Sequence, residues 1–148
     1  MTKGEKAKSL FLEGYNCAQA VFGAFADDLS LDFEFAMKLS SGFGGGMGRL
    51  REVCGAVSGM FMVLDMKHGY TSPTDVESKK KLYSHIQNLA KSFEKENGSI
   101  ICKELLGLSE KKSDPTPQNR TQEYYKKRPC AELVEIAANI VDDYLKNM

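Results

Sequence analysis

Four cysteines, Cys17, Cys54, Cys102 and Cys130, are the residues of this chain best suited to chemistry. They lie far apart with no Cys-x-x-Cys pair, so any shared site has to be assembled by the fold. Cys17 follows Asn16, Cys54 follows a glycine-rich stretch and Cys130 follows Pro129. Each context predicts the first turn of a helix, and Cys102 falls near the start of a shorter one. A helix N-terminus offers free N–H groups and the positive end of the dipole, which favour thiolate over thiol. Thiolate is both the nucleophile and the metal ligand. All four are therefore candidate metal ligands, and in a metal-free chemistry Cys54 is the candidate attacking thiolate with Cys17 as its resolving partner. A single inward cysteine would read as a small core hydrophobe. Four on inward faces, mostly at helix starts, favour a shared functional site.

Beside Cys54 runs Ser40 to Gly59, SSGFGGGMGRLREVCGAVSG, in which six glycines fall within fourteen residues, Gly42 to Gly55. Glycine raises the entropic cost of folding, so such density predicts backbone at positive φ or backbone pressed against a neighbour. Gly44, Gly45 and Gly46 are the candidate cofactor-binding positions, presenting backbone N–H groups to sulfur or to a bound group. A Walker-type phosphate loop is excluded, because the stretch ends Gly48-Arg49-Leu50 rather than Gly-Lys-Ser/Thr. The dinucleotide fingerprint also fails: its third glycine would fall at Met47 or Arg49, and the preceding residues read as helix rather than strand. A plain flexible connector is the competing reading.

The remaining candidates are weaker. His68 and His85 read as isolated surface or helix-end residues, Ser58 lacks a suitably spaced His/Asp pair, and the methionines from Met37 to Met66 read as core filling. A length of 148 residues fits one domain with a proper core. Twenty basic against twenty acidic residues leave no net charge, so nothing points to nucleic acid, and Lys79-Lys80-Lys81 reads as a solvated helix face. The uncharged run Cys54 to Leu64 is too short to span a bilayer, and the first residues lack the apolar core of a signal peptide. The expected location is cytoplasmic. In that reducing compartment cysteines point to metal ligation, a redox dithiol or buried free thiols rather than structural disulfides.

The elements that would position these residues are helices. Gly14 ends a first helix, Lys3 to Glu13, and Asn16 caps a second with Cys17, Val21, Ala24 and Phe25 on one face. Ser30 is read as the cap of a third. The fourth, from Cys54 to His68, carries Gly55 and Gly59 one turn apart, at a cost of about 1 kcal/mol each relative to alanine. That cost predicts a second backbone packed close against the strip. Ser72-Pro73 is read as opening a long helix closed by Asn97-Gly98, and a short one around Cys102 stops at Gly107. Glu110 to Arg120 reads as a surface loop, Thr121 to Lys127 as one or two helical turns, and Pro129 opens the last helix. With no alternating apolar pattern, the expected fold is an all-α, single-domain compact bundle of six or seven helices with a glycine-rich loop.

The segments Asn16-Cys17-Ala18-Gln19-Ala20-Val21, Ser41 to Gly48, Cys54-Gly55-Ala56-Val57-Ser58-Gly59, Cys102 to Gly107 and Pro129-Cys130, in that order, resemble the C_GCAxxG_C_C family of redox-active proteins. The resemblance runs from about residue 6 to residue 146. It implies a small helical protein defined by cysteines at 17, 54, 102 and 130, with redox activity. The family is also similar to a domain of split-Soret cytochromes, where an iron–sulfur centre accompanies haem, but the chain has no Cys-x-x-Cys-His motif for covalent haem. The leading expectation is an iron–sulfur cluster or another thiophilic metal on four converging cysteines, for electron transfer or redox sensing. A metal-free thiol/disulfide oxidoreductase and a helical interaction module with buried cysteines stay open. The redox partner is unidentified, and a homodimer is one arrangement open to the chain.

Overall fold

The computed structural model describes all residues, 1–148, and folds into an all-α single domain of eight helices with no strands. They are α1 Lys3–Leu12, α2 Cys17–Ala24, α3 Phe33–Ser40, α4 Gly55–His68, α5 Val76–Asn97, α6 Cys102–Leu106, α7 Gln122–Lys127 and α8 Cys130–Lys146. Local chemistry explains the starts. The Asn16 side chain accepts from Gln19 N–H at 2.9 Å, and Gln19 returns a bond to the Asn16 N–H at 3.1 Å, a capping box that places Cys17 at the first position of α2. Two starts differ from the sequence expectation. Asp32 rather than Ser30 caps α3, and Asp75 rather than Ser72 caps α5, each carboxylate accepting from an N–H three residues on. In both cases the cap is the aspartate nearest the apolar run, where a charged acceptor also gains from the helix dipole.

The core forms where α1, α2, α4 and α8 pack together, with α5 laid against α4 and α8 and α3 against α2. Phe11, Phe22, Phe25, Met60, Leu64, Leu89, Phe93, Val134 and Val141 are fully buried there. Each such side chain contributes about 1.5–3 kcal/mol on leaving water. Helices α2 and α4 approach closely, as the two glycines predict. A Cβ on Gly59 would stand 2.8 Å from Val21 Cβ and 3.1 Å from the Ala18 carbonyl oxygen, and one on Gly55 would stand 3.1 Å from Cys17 Cβ. That approach sets Cys17 and Cys54 side by side at one end of the bundle.

The glycine stretch makes a left-handed turn. Gly45, Gly46, Met47, Gly48 and Arg49 all have φ between 59° and 72°, and Arg51 follows at 61°. A non-glycine residue in this conformation costs about 1–2 kcal/mol, which is why three of the five are glycine. Met47, Arg49 and Arg51 carry the strain, held by bonds from Arg51 N–H to the Gly45 carbonyl (3.2 Å) and from Glu52 N–H to the Gly46 carbonyl (2.9 Å). Behind the turn, an isolated antiparallel bridge joins Val53 to Ile101. The Cys54 N–H donates to Ile100 (2.8 Å) and the Cys102 N–H to Glu52 (2.6 Å), tying these two cysteine segments together. No helix is long and apolar enough to cross a membrane.

Candidate redox centre

All four cysteines line one cavity of about 390 Å³. Cys17, Cys102 and Cys130 are the first residues of α2, α6 and α8, and Cys54 is the N-cap of α4, so each sits at a helix start. Cys54, Cys102 and Cys130 are buried and Cys17 is half-buried. Gly44, Gly45 and Gly46 form part of the same wall. Their lack of side chains is used: a Cβ on Gly46 would lie 2.6 Å from Cys102 Cβ, and one on Gly44 would run into the Asn16 side chain. His68 and His85 lie together elsewhere, with ring centres 6.3 Å apart, and take no part in the cavity.

The residues that sequence reasoning missed are the arginines. The chain has four, Arg49, Arg51, Arg120 and Arg128, and all four line the cavity, whereas no lysine, carboxylate or histidine does. None forms an ion pair; every salt bridge of the chain is made by a lysine. Arg51 is buried, donating from Nε to Ser113 Oγ at 2.9 Å and from Nη1 to Cys102 Sγ at 3.6 Å. Arg120 donates to the Phe11 and Tyr15 carbonyls and lies over the Phe11 ring, 4.0 Å from its centre. A signal was present in the sequence: Arg49 and Arg51 sit in the glycine stretch and Arg128 two residues before Cys130, while, Arg120 apart, lysines supply the basic residues elsewhere.

The 110–120 segment is the expected surface loop, exposed over most of its length, and part of it also walls the cavity. Ser113 is buried; its N–H donates to the Arg49 carbonyl (2.9 Å) and its hydroxyl to Glu110 (2.6 Å). Arg49 Nε reaches the Asp114 carbonyl (2.8 Å), and Arg128 Nη2 reaches Gln118 Oε1 (3.0 Å). The buried Arg51 needs acceptors, and this polar, apolar-poor segment supplies them.

The thiols are not equivalent. The neighbouring Cys130 sulfur, together with burial, raises the Cys17 thiol well above its ordinary range. The same interaction lowers Cys130, aided against burial by the charges of Arg128, Arg120 and Arg51. Burial raises Cys102, opposed by its contact with Arg51. Cys54 is pushed up to about 12 by burial, against the N–H groups of Ala56 and Val57. The helix start was expected to leave Cys54 the readiest nucleophile; desolvation outweighs it there, and Cys17 meets Cys130 rather than Cys54. All four cysteines are free, and no three histidine, cysteine, aspartate or glutamate side chains stand close enough together to hold one metal ion.

Residues 15–144 match the family model described as "Putative redox-active protein (C_GCAxxG_C_C)". The chain belongs to this family. The pattern in that description contains four cysteines, and the four cysteines of this chain all lie within the matched residues and line the cavity. No curated protein and no solved structure is similar enough to the chain to count as a match.

Proposed function

We propose that the cavity is a redox centre in which Cys17, Cys54, Cys102 and Cys130 hold an iron–sulfur cluster as thiolates, for electron transfer or redox sensing. One observation carries this reading: every cysteine and every arginine of the chain lines the same cavity, and no carboxylate does. Four soft donors without a competing carboxylate suit iron–sulfur chemistry over hard cations. Four guanidinium groups oppose the charge that four thiolates would bring, which lowers the cost of burying them. A single tetrahedral ion at about 2.3 Å from each sulfur asks the sulfurs to stand within about 3.8 Å of one another. The side chains here do not gather about one point, which counts against a single ion. The backbone of Gly44 to Gly46 lies where N–H groups could bond to sulfur and tune the potential. When bound, the cluster supplies one-electron chemistry; the protein's part is to hold it, offset its charge and keep water away.

A second reading is suggested by the opposite shifts of Cys17 and Cys130, although no cysteine pair stands at disulfide distance: a dithiol pair with Cys130 as attacking thiol and Cys17 as resolving thiol. Anaerobic reconstitution separates the two. Reduced, metal-free protein given ferrous iron and sulfide should develop visible absorbance that bleaches with a strong reductant and is lost in Cys102→Ala. A colourless product that reversibly loses two titratable thiols on oxidation, and does so equally in Cys102→Ala, would replace the first reading with the second.

A further inference from the structure

We infer that the cavity also takes a small organic anion, one with two or more carboxylate or phosphate groups on a compact apolar body, as the substrate of its redox centre. That the anion is a substrate rests on the redox-centre reading; its binding stands on the walls of the cavity alone. Its volume of about 390 Å³ lies in the range of small-molecule sites, about 300–1,000 Å³. The walls combine apolar surface from Phe11, Leu105, Leu106 and Leu133 with convergent guanidinium groups, the composition expected of a site for an anion with an apolar body.

The arginines are not all spent on sulfur or on the fold. Arg120 is committed to two backbone carbonyls and Arg51 to Ser113 and Cys102. Arg49 uses only Nε, on the Asp114 carbonyl, and Arg128 uses only one terminal nitrogen, on Gln118. Their remaining donors have no partner within the chain, yet no polar side-chain atom sealed from solvent lacks one, so these donors are open to solvent. Arg49 is hydrogen-bonded to none of the four sulfurs, and the nearby Asp114 carboxylate accepts from the Thr116 N–H at 2.9 Å instead of pairing with it. A guanidinium held by its Nε with both terminal nitrogens free presents the planar fork that matches carboxylate or phosphate in two parallel bonds.

The test is isothermal titration of reduced, metal-free full-length protein with citrate and, separately, with inorganic pyrophosphate, at fixed ionic strength set with potassium chloride. Metal-free protein prevents either probe from acting as a chelator. Saturable one-to-one binding of both supports the inference for either chemistry; binding of citrate alone or pyrophosphate alone supports it and assigns the anionic group. Arg49→Gln and Arg128→Gln should each weaken binding about tenfold, the ratio that about 1.4 kcal/mol represents. Arg49→Lys, which keeps the charge but loses the fork, should fall between Arg49→Gln and the parent. Lys38→Gln, on α3 outside the cavity, should bind as the parent does. No saturable binding of either probe, or binding equal in parent and both glutamine variants, overturns the inference. A protein that binds these anions but never assembles a cluster would refute the redox-centre reading and leave the anion site intact.

Discussion

Replacing Gly46 by alanine strikes the left-handed turn and the cavity wall together. At φ +70° an alanine carries the left-handed penalty of about 1–2 kcal/mol, of which about 0.4–1 returns through the stiffer unfolded chain. The new Cβ would stand 2.6 Å from Cys102 Cβ and 2.8 Å from both Arg51 Cα and Glu52 N. Two of those three atoms are backbone and cannot rotate away, so an overpacking cost of about 1–3 kcal/mol applies in full. The expected loss is about 2–4 kcal/mol, read from urea unfolding of reduced protein by circular dichroism. With a slope of about 1–3 kcal/mol per molar urea, the midpoint should fall by about 1 M or more. Gly42→Ala is the internal control, because a Cβ there meets nothing within 4 Å, and it should lie within about 0.5 kcal/mol of the parent. A Gly46→Ala protein as stable as its Gly42→Ala counterpart would refute the close packing of the turn against α6.

Three other outcomes follow from the same geometry. Gly59→Leu should destabilise by about 1–3 kcal/mol in the same melts despite leucine's better helix propensity, because Val21 and the Ala18 carbonyl occupy its space; a gain in stability would mean that α2 does not close on that strip. In metal-free reduced protein near neutral pH, iodoacetamide followed by peptide mass mapping should find Cys130 modified ahead of the similarly buried Cys54; Cys54 reacting first would contradict the opposite shifts of the two thiols. Stability should also fall in alkali. The neutral Cys54 thiol contributes fully below its ordinary value of 9.0, and that contribution drains away as pH rises towards about 12. Its share is a slope of about 1.4 kcal/mol per pH unit, so Cys54→Ala should lose stability less steeply between about pH 9 and 11, and parallel curves would count against a raised thiol.

The helices were legible because their signals are local: caps, stopping glycines and apolar stripes act within a few residues. The box at Asn16, the stops at Gly98 and Gly107 and the Gly55/Gly59 strip are all found where the residues indicate. Ser30 and Ser72 misled because a serine and an aspartate compete for the same cap, and only the folded chain reveals which reaches the N–H. Six or seven helices were expected and eight form; the short helical turns are the least distinct in sequence. That the cysteines share a cavity could be anticipated from their helix starts, but their order of acidity could not. It depends on how deeply each sulfur is buried and which neighbour faces it, as the opposite shifts of Cys17 and Cys130 illustrate. The arginines and the part played by Ser113 were missed for a related reason. A loop of polar residues looks solvated until a buried guanidinium such as Arg51 is known to need its oxygens.

The most direct test of the redox-centre reading is the iron and acid-labile sulfide content of the protein as expressed, purified without contact with air. Iron and sulfide in near-equal, stoichiometric amounts per chain, with visible absorbance that reducing agents bleach, is the expected result. Colourless protein with neither element and four thiols open to titration, from cells that load iron–sulfur proteins normally, would contradict it.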